Sequence, residues 1–103
     1  RLNINGKGRL TQSNGGLKTL NINSGGYLSL TGAGTALPNL NAFVLDPNST
    51  VEFGANGAQS VKSISGYGNF ITSGSNTKTL ESGVDLTFKG SITIGSGTTL
   101  VSN

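Results

Sequence analysis

The chain has 103 residues, room for one domain at most, and its 33% hydrophobic and 11% charged content excludes disorder by composition. Seven basic and four acidic residues leave a net charge of +3. With no Cys and no His, there is no disulfide framework, no thiolate metal site, and no Ser/His/Asp or Cys/His nucleophile system.

Gly, Ser, Thr and Asn together supply 54 residues. Ser, Thr and Asn compete for backbone hydrogen bonds and glycine costs helix entropy, so little helix is expected. Apolar residues come in ones and twos. No run of about 18 of them exists, so no membrane span is expected. Arg1, Lys7, Arg9, Lys18, Lys62, Lys78 and Lys89 are scattered, which reads as solvated edges and turns rather than a nucleic-acid stripe. No signal peptide is recognisable and the chain starts inside a strand-like pattern, so it reads as a piece of a longer protein.

Leu2–Asn5 alternates apolar and polar, Gly6–Gly8 turns, and Arg9–Thr11 is a short strand. Ser13–Gly16 is a corner, Leu17–Asn23 a strand, Ser24–Gly26 a corner and Tyr27–Thr31 a strand. The pattern breaks from Gly32 to Asn39, an irregular insertion. Leu40–Leu45 resumes as a strand in one of two phases: Leu40, Ala42 and Val44 on one face, or Phe43 and Leu45. Asp46–Ser49 has turn composition, with Asp46 placed to cap local amides, and Thr50–Phe53 points Val51 and Phe53 inward. Further strands follow at Gln59–Ile64, Asn69–Thr72 and Thr77–Leu80. Val84–Phe88 shows Val84, Leu86 and Phe88 on one face; Ser91–Ile94 and Thr98–Val101 end the chain. About ten short strands result, each bounded by Gly, Asn or Ser.

Ten-strand spacing fits an antiparallel sandwich or barrel, or a parallel β-solenoid, and repetition decides between them. Leu2–Thr11 and Leu20–Ser29, offset by 18, share six of ten residues: Leu, Asn, Ile, Asn, Gly and Leu. Ile92–Val101 returns Ile92, Ile94 and Leu100 at the three apolar places. In a solenoid like positions stack about 4.8 Å apart. The expected fold is therefore all-β, a parallel β-solenoid of about five coils of roughly 18–22 residues, occupying 1–103 as one segment. Its inner stack is Leu2, Ile4, Leu10, Leu20, Ile22, Leu28, Val84, Leu86, Ile92, Ile94 and Leu100. Leu2 is expected on Leu20, Ile4 on Ile22 and Leu10 on Leu28, with Asn3 on Asn21 and Asn5 on Asn23 as outward amide ladders.

Leu45–Gly54, then Gly57–Val61, Tyr67–Phe70, Gly74–Leu80 and Ile92–Leu100 give a repeat style that resembles the β-strand repeats of very large Bacteroidetes surface proteins. Those proteins are similar to adhesins exported by the type IX secretion system. The resemblance covers about residues 40–103 and implies a right-handed parallel β-helix at the cell surface or outside the cell.

The acids Asp46, Glu52, Glu81 and Asp85 are dispersed, which suits turn capping and solvation better than a Ca2+ site or a catalytic pair. Gly6–Gly8 and the Gly-Ser-Gly triplets lack phosphate-loop spacing. No catalytic, cofactor or metal residue is expected. The function expected is a non-enzymatic stalk or scaffold segment of an adhesin-like protein, with flanking repeats as partners and surface glycans or other cell-surface proteins as further ones. The competing class is a carbohydrate-binding module using exposed aromatics, with Tyr27 and Tyr67 as glycan contacts. A third is a β-helix polysaccharide-active enzyme fragment, which needs two or three converging acids.

Overall fold

A computed structural model describes residues 2–4, 19–32, 42–62, 64–81 and 87–102. These form twelve strands joined by turns and bends: β1 Leu2–Ile4, β2 Thr19–Ile22, β3 Tyr27–Leu30, β4 Ala42–Leu45, β5 Thr50–Phe53, β6 Gln59–Val61, β7 Ser65–Tyr67, β8 Asn69–Thr72, β9 Asn76–Leu80, β10 Thr87–Phe88, β11 Ile92–Ile94 and β12 Thr98–Ser102. Every pairing among them is parallel. A meander of hairpins pairs antiparallel, so the sandwich alternative falls. The parallel sheets stack as a β-solenoid of about three turns.

Three strips of strand make up each turn. The first face is one five-stranded sheet, ordered β1-β3-β5-β8-β11; β6, β9 and β12 form another face; β2 pairs with β4 and β7 with β10. The sharp corners depend on local chemistry. Between β4 and β5, the Asp46 carboxylate accepts the Asn48 N–H at 2.8 Å, while the Ser49 N–H and hydroxyl both donate to the Asp46 carbonyl. The expected capping role of Asp46 is thus in place. Between β2 and β3, Gly25 takes a φ of +80°, and Gly26 N–H closes the turn on Asn23 O at 2.8 Å.

Adjacent coils pair in an irregular step. Leu28 lies opposite Val51, Val51 opposite Phe70, and Phe70 opposite Ile92, steps of 23, 19 and 22 residues. Leu2 lies opposite Leu28, a step of 26. This corrects the expected register. Leu2 does not stack on Leu20, nor Ile4 on Ile22: Ile4 pairs with Leu30, Leu20 with Phe43 and Ile22 with Leu45. The amide ladder of Asn3 on Asn21 is likewise replaced by Asn3 opposite Ser29 and Asn21 opposite Val44. The physical reason is path length. A turn through three faces takes more than 18 residues here, so an 18-residue offset lands the twin sequence on a different face, where the same in–out alternation serves equally well.

The core is a column of Ile22, Leu28, Leu30, Leu45, Val51, Phe53, Val61, Tyr67 and Phe70. Burying each of the larger side chains is worth about 1.5–3 kcal/mol. Four rings cluster inside it: Phe53 to Phe70 at 5.5 Å, Tyr67 to Phe70 at 5.5 Å edge-on, and Phe88 at 5.6 Å from Tyr67 and 5.0 Å from Phe70. Strand β4 takes the phase with Phe43 and Leu45 inward, leaving Val44 56% exposed. Of the expected inner stack, Ile22 and Leu28 are buried, and Leu20 and Leu100 pack against the core partly covered. Ile92 and Ile94 are instead 47% and 46% exposed. They follow the inward register of Phe70 and Thr72, but β11 is the last strand of its sheet and has a neighbour on one side alone. Leu2 and Ile4 lie on β1, of whose side chains nothing is described; Leu10, Val84, Leu86 and, of the insertion expected near 32–39, all but Gly32 lie outside the described residues.

Candidate functional site

Two polar clusters interrupt this apolar plan, one on the outer face and one inside. The outer cluster is centred on Glu52. The alternation of β5 buries Val51 and Phe53, which turns Glu52 outward and leaves it half-buried. Parallel register places Ser29 opposite it on β3. The Tyr27 hydroxyl donates to Glu52 Oε1 at 2.8 Å, Ser29 Oγ donates to the same oxygen at 3.0 Å, and Ser73 Oγ donates to Oε2 at 2.5 Å. A carboxylate held by three hydroxyls, two from the coil on one side and one from the coil on the other, is a rigid acceptor group beside one aromatic ring. Next to it, a pocket of about 160 Å³ opens between β2 and β3, lined by Leu20, Asn21, Ile22, Tyr27 and Leu28.

The inner cluster is centred on Lys78. Its side chain is fully buried, against the expectation that this lysine sits on a solvated edge. The Nζ donates to Ala55 O at 2.9 Å, Gly57 O at 3.0 Å and Gln59 Oε1 at 2.8 Å. All three acceptors are neutral oxygens, and burial pushes the amine below its ordinary value. Gln59 is itself buried, and its other groups are committed. Its Nε2 donates to Leu30 O at 3.0 Å, and its Oε1 also accepts the Ala55 N–H at 3.1 Å. Gln59 and Lys78 are direct partners on adjacent strands. The sequence carried a faint signal of this: Gln59 shares its phase with Val61, and Lys78 shares its phase with Leu80.

Of the two tyrosines expected as glycan contacts, Tyr27 is half-buried at the outer cluster. Tyr67 is not available: it is 0% exposed, stacked in the aromatic cluster, with its hydroxyl donating to Lys62 O at 2.8 Å. The phase of β7 turns it inward, where its ring packs against Phe70 and Phe88 and completes the core. Desolvation, with Glu81 nearby as the smaller cause, raises the Tyr67 hydroxyl well above its ordinary 10.0.

Among the described residues no three His, Cys, Asp or Glu side chains come together in a way that could hold a metal ion. No helix among them is long and apolar enough to cross a membrane. What the described fold and clusters define is a class: an all-β parallel solenoid with a laddered apolar interior. Comparison with protein-family models, with curated proteins and with solved structures finds no match to this chain.

Proposed function

We propose that this chain is a non-enzymatic structural repeat segment, a stalk within a secreted or cell-surface adhesin-like protein. The observation that supports this reading is the inner column itself: from β3 to β11 each turn covers the apolar row of the one before, so the interior is spent on stacking. On this reading the solenoid is a right-handed β-helix of about five coils. The repeat style of residues 40–103 supports placing the parent protein among Bacteroidetes surface proteins exported by the type IX route, with flanking repeats as its partners. Antibody raised against this chain and applied to unpermeabilised cells of its source organism tests the placement. Surface staining is the expected result, and staining only after permeabilisation refutes it.

A second reading has one observation in its favour. Tyr27 sets a ring beside the hydroxyl-braced carboxylate of Glu52, a combination that suits a sugar, with stacking on the ring and a hydroxyl donated to the carboxylate. Glycan-array binding by the intact chain, lost in Tyr27→Ala and kept in Tyr67→Phe, selects this reading.

A further inference from the structure

The Lys78–Gln59 pair sets an amine directly beside an amide. Both side chains are buried, they face each other across adjacent parallel strands, and the amine nitrogen rests 2.8 Å from the amide oxygen. The same oxygen takes the Ala55 N–H at 3.1 Å, a donor aimed where negative charge develops on addition. The amide nitrogen that would leave is held by Leu30 O at 3.0 Å. We infer that Lys78 and Gln59 are joined by an intramolecular isopeptide bond that ties β6 covalently to β9.

The step balances within the pair. The Nζ lone pair adds to Gln59 Cδ, forming the Nζ–Cδ bond and placing charge on Oε1. The Cδ–Nε2 bond then breaks, and a proton passes from Nζ to the departing Nε2, which leaves as ammonia. One amine and one primary amide become one secondary amide and ammonia, with no change of oxidation state and no co-reactant. Desolvation shifts the amine towards the neutral form that such an attack needs. Fixing the two groups in register supplies proximity, worth effective molarities of up to about 10⁸ M in well-oriented intramolecular reactions. The product also relieves a buried charge. The protonated amine faces only neutral oxygens; once its proton has passed to solvent and the attack is complete, the site is an uncharged amide whose oxygen can accept from Ala55 N–H and whose one N–H can donate to a neighbouring carbonyl. This inference does not depend on the stalk reading, although a covalent tie between coils suits a segment under tension.

Mass spectrometry of the intact chain, after incubation at neutral and mildly alkaline pH, tests it. The expected chain is lighter by one ammonia. Tryptic mapping of the same sample is expected to give no cleavage after Lys78 and a joined fragment containing both Gln59 and Lys78. Lys78→Arg and Gln59→Leu are expected at their full sequence masses. Cleavage after Lys78 with an unmodified Gln59 overturns the inference, and this reading needs no variant to fold. So does a mass deficit that persists in Lys78→Arg and maps to Asn56–Gly57, where succinimide formation at an exposed Asn-Gly step also expels ammonia.

Discussion

Lys78 and Gln59 stand opposite each other on β9 and β6, with the lysine Nζ 2.8 Å from the glutamine Oε1 and both side chains out of solvent. A cation with neutral acceptors only is an unusual tenant for a solenoid core. Its removal therefore has consequences that differ from those of trimming an apolar neighbour.

Lys78→Met keeps the volume and removes the donors. Gln59 Oε1 keeps the Ala55 N–H and Ala55 O keeps the Ser75 N–H, so the main loss is the donor to Gly57 O, at a cost of about 1–3 kcal/mol, offset in part by the desolvation no longer suffered. A net loss of about 2 kcal/mol is expected by urea denaturation. The double variant Lys78→Met/Gln59→Leu removes donor and acceptor together and is expected to lose less than the two single variants summed, with a coupling of about 0.5–3 kcal/mol. Strict additivity would count against the geometry of the inner cluster.

Alkaline pH separates Tyr67 from the rest of the core. Its folded pKa is raised above the ordinary 10.0, so the folded state holds a proton that the unfolded state releases. Stability contributed by Tyr67 is present in full below pH 10 and is lost as pH rises from there towards the folded value. Lys78, while its amine is free, acts with the opposite sign. Its folded pKa is lowered from 10.5, so the unfolded state binds more protons and stability rises as pH climbs through the folded value towards 10.5. Tyr67→Phe is expected to flatten the fall above pH 10, at a cost of about 1 kcal/mol at neutral pH for the lost bond to Lys62 O. Melting temperatures from pH 7 to 11.5 measure both effects.

Two glycines on either side of the Asp46–Ser49 corner should differ sharply. A Cβ on Gly68 would lie 2.3 Å from Asp46 O and 2.6 Å from Ser49 O, backbone atoms of the corner one coil below. Gly68→Ala is therefore expected to cost about 3 kcal/mol, the upper range for overpacking. A Cβ on Gly25 meets nothing within 4 Å, but its φ of +80° is left-handed. Gly25→Ala should cost about 1 kcal/mol, from backbone conformation alone. Thermal or chemical melts of the two variants check the stacking of corners; equal losses would contradict it.

Ile22→Asp places a carboxylate in the column opposite Leu45 and is expected to prevent folding. Asn23→Asp, at an exposed corner position, should shift stability by less than about 0.5 kcal/mol. Circular dichroism melts of the pair read the inward face directly.

The sequence by itself determined a good deal. The repeated Leu-Asn-Ile-Asn, the two-residue alternation and the Gly, Asn and Ser corners were sufficient for an all-β solenoid, for the inward faces of Ile22, Leu28, Val51 and Phe53, and for the Asp46 turn. Those features are local, because alternation and turn chemistry are settled within a few residues. Tertiary structure alone decided what depends on the length of a full turn: that Leu2 meets Leu28 and Leu20 meets Phe43, that Tyr67 goes inside while Tyr27 braces Glu52, and that Ile92 and Ile94 lie at a sheet edge. Lys78 is the clearest case. Its charge marks it for solvent in any local reading, and only the arrival of Ala55, Gly57 and Gln59 from another coil supplies the oxygens that let an ammonium stay inside.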